Sequence, residues 1–163
     1  MALVSSKRFR AVRRLAGGPI NAMTVHCATS VTWPDGAIVI AGASGLCTQG
    51  ADGPTTGTIM GVAVGANASG DTTALIIPAL PDMIFRGQIA TGDSGATSTT
   101  AVTLRYAEGA NAYEVAVNSS IWYVNVGAST DNAVQILEIV DASTAWGEVE
   151  FVFSDTFWNP SNP

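Results

Sequence analysis

The sequence predicts an all-β protein: two small antiparallel β lobes, barrel- or sandwich-like, preceded by an extended N-terminal arm. Short runs of β-forming residues meet Gly, Asn, Ser and Asp turns abruptly, and none repeats with a helical period. The clearest unit is Ile59-Met60-Gly61-Val62-Ala63-Val64, a turn through Gly65 and Asp71, then Ala74-Leu75-Ile76-Ile77. A helix there would hold Gly61, Gly65 and Gly70 in its interior at about 1 kcal/mol each. The third observation is charge. Only 12% of the 163 residues are charged, against roughly 25% in an average soluble protein. No apolar run reaches the 18 or so residues of a membrane helix. A surface so poor in charge implies lasting contact with partners.

Residues 1–20 form the arm. Lys7, Arg8, Arg10, Arg13 and Arg14 are five of the seven basic residues, and all thirteen acids lie from Asp35 onward. A cationic segment on an acidic body suits gripping an acidic surface. Leu3, Val4, Phe9, Val12 and Leu15 punctuate the cations, and a short helix ending at Gly17-Gly18-Pro19 is compatible with the pattern. A solvated tail and an Arg-rich, acid-free transit peptide are the competing readings. The expectation is an arm that docks on a neighbouring protein.

The first lobe is placed at residues 21–80. Thr24-Val25-His26-Cys27 alternates loosely, Trp33-Pro34-Asp35-Gly36 is a turn, and Ala37-Ile38-Val39-Ile40 reads as a buried strand. Gly42-Ala43-Ser44-Gly45 leads to Leu46-Cys47-Thr48, and a Gly/Pro-rich loop to the hairpin already described. Pro78-Ala79-Leu80-Pro81 has few ladder donors and marks the boundary.

The second lobe, residues 81–163, is predicted as a small barrel or sandwich with an aromatic tail. Its strands are read at residues 83–90, 102–106, 113–117, 121–126, 134–140 and 147–153, and residues 91–100 as a polar loop. The last strand alternates cleanly, with Val149, Phe151 and Phe153 inward and Glu148, Glu150 and Val152 outward. Phe157 and Trp158 either fold back on the core or anchor a subunit contact.

Chemistry is sparsely signalled. With His26 the sole histidine, Cys27 and Cys47 cannot complete a structural zinc site, and both are read as free buried thiols, although a disulfide is not excluded. The sequons at Asn67 and Asn118 are read as chance. Asp35, Asp52, Asp71, Asp93 and Asp131 occupy turns for backbone reasons, so no metal or cofactor is expected. Trp122, Tyr123 and Tyr113 could form a stacking platform, but Arg86 and Arg105 are the body's only cations, which argues against nucleic acid. Gly92-Asp93-Ser94-Gly95 matches the nucleophile sequence of chymotrypsin-like serine proteases, with His26 and either Asp52 or Asp71 completing the required order. Against that reading, no barrel precedes His26, the His26–Ser94 spacing is tight, and residues 96–100 read as loop where those enzymes have a strand. No catalytic residue is therefore expected.

Gly36-Ala37-Ile38-Val39-Ile40, Gly45-Leu46-Cys47 and Ile59-Met60-Gly61-Val62-Ala63 together resemble the first lobe of head-decoration (capsid cement) proteins of tailed bacteriophages. The closing Gly147-Glu148-Val149-Glu150-Phe151-Val152-Phe153 with Phe157 is similar to the last strand of larger members. The resemblance implies a non-enzymatic clamp on the outer face of the virion's head shell. It would be a homo-oligomer, with a trimer favoured, that binds the major capsid protein. Lys7, Arg8, Arg10, Arg13 and Arg14 would then pair with shell carboxylates while Phe9, Val12 and Leu15 fill apolar grooves. Another virion or adhesion β module is the alternative.

Overall fold

The computed structural model describes residues 5–54, 57–92, 96–97, 104–105, 113–128, 133–142, 147–154 and 156–158. A helical turn at Ser5–Lys7 precedes β1 (Arg10–Arg14), β2 (Met23–His26), β3 (Ile38–Ala41), β4 (Cys47–Gln49), β5 (Ile59–Ala63) and β6 (Thr73–Pro78). Then follow β7 (Met83–Thr91), β8 (Ala96–Thr97), β9 (Glu114–Asn118), β10 (Ile121–Asn125), β11 (Val134–Asp141) and β12 (Glu148–Phe153). The protein is all-β, as its turn-punctuated sequence predicts. No helix among the described residues is long and apolar enough to cross a membrane.

The first sheet runs β2-β6-β5-β3-β4, every neighbour antiparallel. The hairpin read from sequence is its centre: Gly61 faces Pro78, Val62 faces Ile77 and Ala63 faces Ile76. Gly61 is needed there, because a Cβ would run into the Ile77 carbonyl. Four antiparallel steps leave the first and fifth strands pointing the same way. The ring can therefore close only through a parallel contact, which Cys27, just past β2, makes with Cys47 at the start of β4.

The second sheet runs β11-β12-β7-β10-β9, with β1 and β8 added along β7. It also closes. Tyr113, ahead of β9, bridges Val134 at the start of β11, with reciprocal N–H to carbonyl bonds of 3.0 and 2.9 Å. A five-membered ring again requires a parallel step, here between β10 and β7. The expected purely antiparallel lobe is corrected accordingly. β7 is the hub. β1 and β12 flank its first half, and β10 and β8 pair with its last residues. That explains why it is buried almost throughout, without the alternation of a one-sided strand.

One continuous core joins the two rings, from Val25, Ile38 and Ile59 to Phe85, Trp122 and Phe151. The C-terminal tail folds back on the first ring. Phe157 N–H donates to the Ile59 carbonyl at 3.0 Å and Trp158 Nε1 to the Met60 carbonyl at 2.6 Å.

Two local expectations differ from the structure, and one is sharpened. The expected extended arm contains the strand β1, not the short helix also compatible with its sequence, because pairing to β7 satisfies its backbone. Ala96–Thr97 is the short strand β8, not loop, held to Ala90 and Thr91 by the hairpin. Leu104 and Arg105 lie in a helical turn rather than in a strand over 102–106, whose other residues lie outside the described set.

The β9–β10 hairpin turns on two residues, Ser119 (φ 51°) and Ser120 (φ 66°), both left-handed. Asn-Gly fits this geometry better than Ser-Ser. Ser119→Asn with Ser120→Gly relieves two left-handed non-glycine residues and is expected to stabilise the protein by about 1 kcal/mol, read as a higher urea midpoint at unchanged slope.

Candidate functional site

The basic segment and the surface beneath it form the most distinctive feature of the molecule. β1 lies on the free side of β7, opposite β12, so that Arg10, Arg86 and Glu150 share one cross-strand row. The ladder has an aromatic face and an ionic one.

On the aromatic face, Phe9 is 2% exposed. Its ring packs on Phe151, with centroids 4.9 Å apart, and Phe151 meets Phe85 and Phe153. Phe9 occupies the space a side chain at position 87 would need: a Cβ on Gly87 would overlap the ring. Gly36 plays a matching role in the Trp33-Pro34-Asp35-Gly36 turn. Its φ of 77° favours glycine, and a Cβ would crowd Arg8 Cβ and the Phe9 carbonyl at 2.9 and 3.0 Å.

On the ionic face, Arg10 Nη2 donates to Glu148 Oε1 at 2.7 Å, and Arg13 Nη2 to Glu150 Oε2 at 2.8 Å. Arg86 Nη2 donates to Glu150 Oε1 at 2.6 Å. Regular pleating would put residues 10 and 13 on opposite faces. The register shift between Ala11 and Arg13 is a bulge at Val12 that turns Arg13 to the Arg10 side. The ends of the segment are also pinned, by Lys7 to Asp141 at 2.8 Å and by Arg14 to Asp82 at 2.6 Å. Glu148 and Glu150 do point outward on β12, as the alternation requires, but the arginines bury them. Burial pushes the Glu150 carboxyl up, yet hydrogen bonds and charge from Arg86 and Arg13 outweigh it and hold the group below its usual range.

The expected gripping residues are therefore divided. Lys7, Arg10, Arg13 and Arg14 engage the chain's own carboxylates, and Phe9 fills its own core rather than a partner's groove. Val12 is half-buried in the bulge. Leu15 is 59% exposed. Arg8 stands apart. Among the described residues it has no carboxylate partner, and its Nε is shielded from solvent without a hydrogen bond. It lines an open groove of about 470 Å³ with Ala11, Ile20, Asp35, Val62 and Ile77. The signal for this division was present in the alternating Glu148 and Glu150, but nothing local showed that β1 would be the strand to cover them.

The other sequence candidates are scattered. His26 is an exposed β2 residue opposite Thr73, beside a pocket lined by Leu46, Cys47, Met60 and Phe157. The two acids considered with it are engaged elsewhere: Asp52 Oδ1 accepts from the β9 Val117 N–H at 2.6 Å, tying its loop to the second ring, and Asp71 Oδ2 accepts from the Ala68 N–H at 2.9 Å within its own turn. Asp93, Ser94 and Asp131 lie outside the described residues. Gly92 is held in the second ring by Asn125 Oδ1 and by the Tyr123 hydroxyl, away from the residues around His26. The strand after Gly95 does remove one of the objections to a protease, but the described histidine and acids are not assembled. Trp122 and Tyr123 are core residues, 1% and 0% exposed, and cannot stack on bases. Among the described residues no group of three or more His, Cys, Asp or Glu is placed to hold a metal.

Sequence comparison adds no relative: no protein-family model matches the chain, and no curated protein does.

Two outcomes are expected from the ladder. Phe9→Ala should cost about 3–5 kcal/mol by chemical denaturation, as for a fully buried aromatic. Glu150→Gln should cost about 1–2 kcal/mol at pH 7, moderated because both arginines are partly exposed. Because the folded state depresses the Glu150 pKa, its contribution is present above the ordinary glutamate range. It is lost as pH falls through the lower folded value. A stability-versus-pH series should therefore show a shallower acid loss in Glu150→Gln than in the parent.

Proposed function

We propose that this chain is a structural module of a virion. In this reading it is a decoration (cement) protein that sits on the outer face of a tailed-phage head and binds the major capsid protein. It acts as a homo-oligomer, with a trimer favoured, and stabilises the shell by bridging its subunits. It catalyses no reaction.

The observation that carries the reading is the fastening of two peripheral segments, residues 10–14 and 157–158, onto the two rings. β1 is laid into the second ring through a core aromatic and paired charges, and the tail is tied to β5 of the first. A body with one core and its peripheral segments tied down suits a part that bears load. The resemblance of the first-lobe strands to cement proteins and the low charge content point the same way. The arm's role is narrower than its composition implies. Four of its cations hold the body together, and Arg8, with exposed Leu15 nearby in the chain, is left for a shell carboxylate and an apolar neighbour. In a trimer three such contacts act together at high effective concentration, so each can be weak.

The test is direct. Purified heads heated with and without the protein should differ, with the disruption temperature higher when it is bound. Arg8→Glu should lower head occupancy several-fold while leaving the melting profile of the free protein unchanged. Failure of the parent protein to bind heads, or a peptidase activity abolished by Ser94→Ala, would overturn the reading.

A further inference from the structure

Among the described residues, the first ring is closed at a single point, the isolated parallel bridge between Cys27 and Cys47. We propose that this pair is an oxidisable site: a disulfide between Cys27 and Cys47 that converts the seam of the first ring from a single backbone contact into a covalent one.

Bridge partners on adjacent strands lie about 4.8 Å apart, inside the Cα separation of about 4.4–6.8 Å that a disulfide spans. Both cysteines are buried and free. The two residues are bridge partners, and the Cys27 Sγ donates to Asn67 Oδ1 at 3.8 Å and to the Asp71 carbonyl at 3.7 Å. Burial first, and then the charge of the neighbouring Cys27, pushes the Cys47 thiol up to about 11. That keeps the Cys47 thiol protonated and slow to react until an oxidant reaches it. Access is available, because Cys47 lines an open pocket of about 260 Å³ with Val25, His26, Leu46, Met60 and Phe157. The oxidant is a small peroxide. The small fraction of Cys47 present as thiolate attacks one peroxide oxygen, giving a sulfenic acid and releasing hydroxide, so the reaction is slow at neutral pH and quickens as pH rises. The Cys27 sulfur then displaces the sulfenic oxygen as water, and the two thiol protons are taken up by the departing oxygens. Two thiols and one hydrogen peroxide thus give one disulfide and two waters.

The seam is where such a bond has most effect. β2 and β4 are the two ends of the strand order, so nothing else in the ladder joins them. The loop closed is short and already native in geometry, which limits strain on oxidation.

The experiment uses the full chain treated with hydrogen peroxide and quenched. Under denaturing conditions both thiols should be lost to titration, the intact mass should fall by about 2 Da, and digestion should yield a linked peptide pair containing Cys27 and Cys47. The thermal midpoint should rise by roughly 5–10 °C and return on reduction, and Cys27→Ser and Cys47→Ser should each lack the rise. The peptide map of the parent protein decides the matter even if a variant folds poorly. Retention of two titratable thiols, a gain of oxygen mass without loss of hydrogen, or cross-linking only between chains would each overturn the proposal.

Discussion

The docking of β1 onto β7 is the contact on which most of the molecule depends. It works because one position, Gly87, has no side chain. The gap admits the Phe9 ring to Phe151 and the aromatic core behind it. Once Phe9 is seated, the strand must run along β7, and its alternate face lies over Glu148 and Glu150. The apolar insertion provides the larger stabilisation. The ion pairs set register and direction, since partly exposed pairs contribute little by themselves. The bulge at Val12 reconciles the two requirements by bringing a second arginine to the acidic face.

The two rings share a geometric constraint. A closed circuit of five strands cannot be wholly antiparallel, so each has one parallel seam. The second ring places it between β7 and β10, where β7 is long and central enough to support it. The first places it at its ends, where a single cysteine pair bridges β2 and β4. The second ring also carries the polar cluster of the buried core. Asn125 Oδ1 accepts from Gly92 N–H and Gly127 N–H, while its Nδ2 donates to Glu114 Oε1 at 3.0 Å. A buried amide used in this way orients the loop ends that follow β7 and β10.

Charge placement changes what the N-terminal segment means. Read as composition, five cations ahead of the first acid are a handle for another molecule. Placed in the fold, four of them are internal fasteners, and what remains is half-buried Arg8 in its groove and exposed Leu15. The body's excess of acids is correspondingly reduced where β1 lies. The surface offered to a partner is therefore less electrostatic and more mixed than the linear sequence implies.

The strands themselves were legible from local chemistry. The hairpin from Ile59 to Ile77, the alternation of β12 and the turn at Trp33-Pro34-Asp35-Gly36 follow from residue preference and a period of two, which act between near neighbours. β8 was missed because Ala96 and Thr97 are too few and too small to declare a strand; only the ladder of β7 makes them one. The segment at β1 reads as an extended arm for a neighbouring protein because its actual backbone partner, β7, lies about seventy positions away in the same chain. What the amino-acid order determined alone was an all-β chain with a cationic front and an acidic body. What only the tertiary structure decided was which cation meets which acid, how the rings close, and that Cys27 faces Cys47. Those depend on long-range strand pairing, and separation along the chain carries no information about which edges will meet in space.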